Sequence, residues 1–301
     1  MSASLHFLVL GWMGKGSGTF TPARPSDGRQ GGRPVRRRSK FADGARYPCD
    51  RQGVSNMRRT LLWVPIPVWL AFVAMAAVLV LVPAIDLAVS ALFYEPSAGF
   101  SNRGRIWEQM LFHSVPIAMY AVNLGLIAWC VVRALRGLRS GRPCGRDLAY
   151  LLLLLALAPG LIVNALFKEQ WGRARPVQVV ELGGDRAFSP AFVRSDQRGG
   201  SFSSGHAAAA AYLVVVAWLF AGRWRILWIT LATAYALLVG VARIAAGGHF
   251  LSDVLTSYFV VALAAFILFG SLFGEPLHRV RPARPGGTSP SQREEPIGQG
   301  E

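Results

Sequence analysis

Six stretches of the chain run without a charged residue, at roughly 61–85, 109–132, 148–167, 199–222, 226–242 and 254–274. Each has about the 17 to 25 residues a helix needs to cross a hydrocarbon core. A soluble helix would carry a polar face at 3.6-residue spacing, whereas Leu151–Leu157 and Ala207–Phe220 are apolar all round. The pattern predicts an all-α, polytopic membrane protein with six spanning helices, contained in residues 57–278.

Charge placement orients these spans. Parity puts connections 1/2, 3/4 and 5/6 on one face and both termini with connections 2/3 and 4/5 on the other. The second face holds 23 of the 32 Lys and Arg residues and the first holds 9, so the positive-inside rule makes the second face cytoplasmic. Connection 2/3 gives the strongest signal, with Arg133, Arg136, Arg139, Arg142 and Arg146 in one short segment. Connections 3/4 and 5/6 then face the periplasm or cell exterior, which predicts a bacterial inner membrane location.

The flanks read differently. Residues 1–56 are rich in Gly, Pro, Ser and Arg and predict a disordered basic tail. Met57-Arg58-Arg59 stands directly before the first apolar span, so translation is expected to begin there; without residues 1–56 the asymmetry is still 13 against 9. Residues 279–301 predict a second disordered tail, on the cytoplasmic side. A net charge of +16 on a chain that is 52% hydrophobic points to a membrane, and no nucleic-acid partner is expected. Cys49, Cys130 and Cys144 all fall on the inner side or near it, which implies neither a disulfide framework nor a cysteine metal site.

Three clusters place charge at the outer ends of these helices, where charge is costly unless it is used. Lys168 and Arg175 lie seven residues apart in Lys-Glu-Gln-Trp-Gly-Arg-Ala-Arg-Pro, so a near-helical path puts both cations on one side. Ser201-Phe-Ser-Ser-Gly-His206 leads into the fourth span. There Ser204 can cap the helix, and the amides of Gly205 and His206 offer an anion site at its positive end. Between the fifth and sixth spans stand Arg243, His249 and Asp253; a carboxylate four residues from a histidine can hold its tautomer. Singly, each is a common feature: a snorkelling cation, an interfacial histidine, a helix start. Parity brings all three to one face, and two histidines, three cations, a carboxylate and a helix N-terminus together fit an anionic tetrahedral substrate. Asp86, Glu108 and His113 are expected in interfacial or packing roles, Asn164 in a contact between helices, and Trp107, Trp171 and Trp228 in the interfacial aromatic belts.

These three clusters resemble the signature motifs of the type 2 phosphatidic acid phosphatase family over residues 61–274. Two positions depart from it: Ser203 stands where the family usually has Pro, and Ala242 where it usually has Ser. The resemblance implies a six-helix membrane fold, no metal and no other cofactor, and a phosphohistidine intermediate. It implies His249 as nucleophile, Asp253 as its orienting partner and His206 as the acid for the leaving oxygen. Lys168, Arg175 and Arg243 would clamp the phosphoryl oxygens, assisted by Ser204 and Gly205.

A site at headgroup level implies a lipid phosphate substrate: lipid A phosphates, undecaprenyl diphosphate, phosphatidylglycerol phosphate or phosphatidic acid. Residues 177–200, including Phe188-Ser-Pro-Ala-Phe192, are expected to cover the site and set specificity, and they resemble lipid A phosphatases more than the others. A phosphotransferase passing phosphate between lipids would use the same residues, and a non-catalytic transporter or scaffold would require their convergence to be accidental.

Overall fold

The computed structural model describes residues 60–137, 145–220 and 224–277, and they are mostly helical. The two tails and Arg139 and Arg142 of the basic connection lie outside the described residues, as does Met57. A two-residue antiparallel hairpin, β1 (Thr60–Leu61) with β2 (Val64–Pro65), leads into α1 (Ile66–Leu81). Pro67 sits in the first turn of α1, where its missing N–H has no helical acceptor to lose. Then follow α2 (Ala84–Ala91), α3 (Ile106–Leu135), α4 (Gly145–Leu155), α5 (Gly205–Phe220), α6 (Arg225–Ala245) and α7 (Leu251–Phe273).

Helix occurs in all six expected segments, but their form differs from six straight spans. Among the described residues four helices are long and apolar enough to cross a membrane, or five if α1 and α2 count as one bent span. The bend between α1 and α2 is 84°. Pro83 explains it, because the ring removes a helical donor and disfavours helical geometry at Val82. α5 has 16 residues, or about 24 Å of helix against a core of about 30 Å. It is short because residues 199–204, expected within the span, form loop that carries site groups.

α4 continues without interruption into a π-helical run, Ala156–Lys168. Pro159 accounts for the change of winding: its ring cannot donate to Leu155 and crowds that carbonyl, so the backbone opens. Asn164 Nδ2 donates to the Pro159 carbonyl at 2.7 Å, within the same run rather than across helices. The widened winding ends on Lys168.

The central core joins α4, α5 and α7 through Tyr150, Leu154, Tyr212, Val261 and Phe269. Close approach depends on small residues: Ala207, Ala208 and Ala210 of α5 are fully buried, and a Cβ on Gly240 of α6 would collide with the Tyr258 hydroxyl of α7. The outer surface is apolar, with Leu81, Leu135 and Ile226 each about four-fifths exposed (79%, 82% and 83%), as lipid contact requires. Trp107 and Trp228 are exposed on that surface. Trp171 instead packs inward at 5.2 Å from both Phe167 and Phe202.

Candidate active site

One end of the bundle holds a polar cavity of about 310 Å³. Lys168 enters it from the end of the π-helical run, Arg175 from the loop that follows, His206 from the first turn of α5, Arg243 from the last turn of α6, and His249 from the α6–α7 connection. The sequence separates these groups by up to 81 positions, and the fold brings all five to one wall. Five of the eight expected site residues therefore line one cavity. The Nε atoms of Arg175 and Arg243 are buried without a protein partner, so both guanidinium groups retain a donor for an anion.

Each group is held by something identifiable. Arg243 Nη1 donates to Glu108 Oε1 at 3.1 Å, and its guanidinium lies 4.8 Å from the centre of the Phe112 ring. The amides of Gly248 and His249 donate to the Arg243 carbonyl at 3.0 and 3.2 Å, folding the connection tightly back on the end of α6. A Cβ on Gly248 would strike the Arg243 guanidinium, so the turn is closed to larger residues. The His206 ring stacks on the same Phe112, at 4.2 Å with 25° between planes.

His249 lies buried at the floor. Its Nδ1 is 2.7 Å from the Ser201 carbonyl oxygen, which can only accept; Nδ1 therefore carries the proton and Nε2 keeps its lone pair. Burial first, and then the charges of Arg243 and Arg175, hold this imidazole well below the ordinary histidine range, so the ring is neutral at pH 7.

Three expected residues sit elsewhere. Asp253 Oδ2 is 3.9 Å from His249 Nδ1, beyond hydrogen-bond range. Its carboxylate instead accepts from Arg173 Nη1 at 2.6 Å, Ser201 Oγ at 2.6 Å and the Phe250 amide at 2.8 Å. The four-residue spacing allows contact, but those three donors outcompete the ring. Ser204 caps α5 as expected, its Oγ accepting from the Ala207 amide at 3.4 Å, but it is fully buried and outside the cavity lining. Gly205 lies beside Asn164 Oδ1, with no room for a Cβ, and borders a second cavity.

That second cavity, about 660 Å³, runs between α3, the π-helical run and α5. Val115, Met119 and Leu155 give it apolar walls, and it shares Phe112, Lys168, His206 and His249 with the polar cavity. The polar site thus adjoins an apolar one.

The sequence assigns Asp86 and Glu108 to interfacial or packing roles and gives Arg173, Ser201 and Arg103 no role of their own. The structure places Glu108 and Arg103 in the cavity lining, Asp86 against Arg173, and Ser201 between His249 and Asp253. His113 is exposed and stays outside the lining. A signal existed for the two acids, since a carboxylate beside an apolar span is tolerated only when paired. Of residues 177–200, Val177 lines the polar cavity, while Phe188 packs on Phe250 and Phe192 on Phe202.

Residues 149–275 match the family model of the PAP2 superfamily. It is 35% identical over 127 residues to a protein named lipid A 4'-phosphatase from Francisella tularensis subsp. novicida, covering 41% of this chain and 57% of that one. A lipid A 4'-phosphatase from Rhizobium etli is 32% identical over 120 residues, 39% of this chain and 45% of that one. The chain spans about half the length of these relatives. The crystal structure of a PAP2-type phosphatidylglycerolphosphate phosphatase from Bacillus subtilis is similar at 24% identity and a TM-score of 0.44, over 68% of this chain and 94% of that chain. Lys168, Arg175, His206, Arg243, His249 and Asp253 lie inside the PAP2 match; Asp86, Arg103, Glu108 and Phe112 lie before it.

Proposed function

We propose that the chain is a membrane lipid phosphatase that hydrolyses a phosphomonoester of the lipid A class through a phosphohistidine. One observation carries this reading: a cavity with two histidines and four cations, Arg103 among them, adjoins an apolar cavity that shares both histidines. A headgroup phosphate can occupy the first while the apolar body of the same molecule occupies the second. The names of the relatives support lipid A as the substrate.

In this reading Lys168, Arg175 and Arg243 bind the three non-bridging phosphoryl oxygens, compensating charge that spreads over them in the transition state. The Nε2 lone pair of His249 attacks phosphorus, and the bond from phosphorus to the lipid oxygen breaks. His206, protonated once the phosphate dianion is bound, gives its proton to that oxygen. Water then attacks the phosphohistidine, His206 takes a proton from it, and the nitrogen–phosphorus bond breaks to release inorganic phosphate and restore neutral His249. The cations supply the charge compensation directly, and the donors around the phosphate are basic side chains ill suited to a divalent metal.

The charge asymmetry supports six crossings, with α1 and α2 as one bent span and α5 as a short one, in the bacterial inner membrane with the cavity outward. The test uses the purified full chain with lipid A, phosphatidic acid, phosphatidylglycerol phosphate and undecaprenyl diphosphate, following free phosphate and lipid product together. Phosphate release from lipid A, lost in His249→Ala, is expected; phosphate release from none of the four would overturn the reading.

A further inference from the structure

Beneath the cavity floor lies a fully buried cluster with no part in contacting phosphate. Arg173 spends its donors there: Nε on the Ser189 carbonyl at 2.8 Å, Nη1 on Ser252 Oγ at 2.8 Å and Asp253 Oδ1 at 2.6 Å, Nη2 on Asp86 Oδ2 at 2.8 Å. The Ser252 amide and hydroxyl donate to Asp86 in turn, at 2.9 and 2.5 Å. Phe250 lies 4.4 Å and Phe188 5.6 Å from the guanidinium carbon. Burial draws the Arg173 pKa down, but Asp253 and Asp86 outweigh it and hold the value above the ordinary one, so the group is a permanent cation. One cation thus joins α2, the loop after the π-helical run and α7.

The chain of bonds leads to the nucleophile. Asp253, held by Arg173 through Oδ1, receives Ser201 Oγ on Oδ2, and the carbonyl of that same Ser201 takes the His249 Nδ1 proton. We propose that Arg173 is a positioning residue for the phosphatase reaction: with Asp86 it holds Asp253 off the imidazole, so that Asp253 acts through Ser201 and the Ser201 carbonyl sets the His249 tautomer. This rests on His249 being the nucleophile. The imidazole is then oriented without a carboxylate against it. The charged groups acting on it are the cations Arg243 from α6 and Lys168 and Arg175 from the first motif, with Asp253 of α7 at 3.9 Å. Releasing Asp253 would let it turn to Nδ1 and make the ring more basic.

The test has one arm that needs no turnover. In the full chain, labelled with ¹⁵N-histidine and assigned by His249→Gln, nitrogen shifts at neutral pH should show a protonated Nδ1 and an unprotonated Nε2. A proton on Nε2 in the wild-type chain overturns the proposal, even for a chain that releases no phosphate. The second arm is Arg173→Gln, with Arg173→Met/Asp86→Asn as a variant that keeps the same formal charge in the cluster. On active wild type, either folded variant should lower kcat by roughly 100-fold, the scale of a small misplacement of a reacting group. KM should change little, and the acid limb of the pH profile should move upward. A folded variant with wild-type kcat and profile overturns the proposal. Absence of activity in wild type with the expected nitrogen shifts sinks the phosphatase reading alone, and a folded Arg173→Gln chain with those shifts unchanged then overturns the orienting role.

Discussion

His249 and Asp253 stand one helical turn apart, yet the imidazole bonds to the Ser201 carbonyl at 2.7 Å while the carboxylate stays 3.9 Å away. A backbone carbonyl cannot be protonated at working pH, so it fixes the tautomer without adding charge beside the ring. A directly paired carboxylate would stabilise the imidazolium and draw the lone pair out of use. The arrangement therefore favours a neutral nucleophile.

A pH dependence follows. The His249 value is depressed by burial and by Arg243 and Arg175. The neutral ring should persist as pH falls through about 6.5, the ordinary histidine value. The enzyme's acid limb in kcat/KM is expected below that point, after separate titration of the substrate's second ionisation near about 6. An enzyme limb at 6.5 or above would contradict it. The same shift sets the sign for stability: below about 6.5 the unfolded chain takes up a proton that the folded ring refuses. This group's contribution is thus present above that pH and lost as pH falls, which thermal unfolding across pH 5 to 8 would register.

Glu108 offers a second check. It is buried, and it pairs with Arg243 at 3.1 Å while accepting from the Gly104 amide at 3.2 Å. Glu108→Gln removes the one carboxylate that lines the polar cavity among the described residues. Inorganic phosphate and vanadate should then inhibit at lower concentration, because the cavity gains net positive charge. Turnover should fall on the order of tenfold as the Arg243 guanidinium loses its anchor, a loss worth about 1.4 kcal/mol in the barrier. Unchanged inhibition constants would show that Glu108 does not tune the phosphate site.

The parts of this site that were legible in the sequence were those encoded over short spacing. Lys168 with Arg175, and His249 after Arg243, announce themselves within seven residues, and the absence of charge over about 20 residues marks the helices. What escaped was long-range. Arg173 meets Asp86 across 87 positions and Arg243 meets Glu108 across 135, and no local pattern encodes either partner. Arg173 and Arg175 look alike in the sequence; the fold buries one under the floor and leaves the other in the cavity wall. The shapes of α1–α2 and α5 were missed for another reason. Hydropathy measures apolar length and is insensitive to Pro83, or to a loop that is apolar in part yet held by polar contacts.

Orientation can be tested without activity. Val193 lies exposed in the loop between the first two motifs. A Val193→Cys chain should react with an impermeant thiol reagent in intact cells once any outer membrane is permeabilised. A cysteine at Arg136, in the basic connection, should react only after inner-membrane lysis. The reverse pattern would invert the topology.

The two histidines should respond differently to the leaving group. In the proposed reaction His249→Ala removes the atom that bonds to phosphorus, so every substrate should lose turnover whatever departs. In the proposed reaction His206, stacked on Phe112 on the cavity wall, protonates the departing oxygen and later takes a proton from the attacking water. A lipid alkoxide needs that proton, and general acid catalysis typically contributes roughly 100- to 10,000-fold. A nitrophenolate leaves without it. His206→Ala should therefore lose turnover on the lipid phosphate by about that factor, while an aryl phosphate should still release its nitrophenolate in a first-turnover burst close to that of wild type. The aryl compound lacks an apolar body to fill the second cavity, so each variant is compared with wild type on the same compound. Equal losses on both substrates would remove His206 from the acid role and leave it as a phosphate ligand.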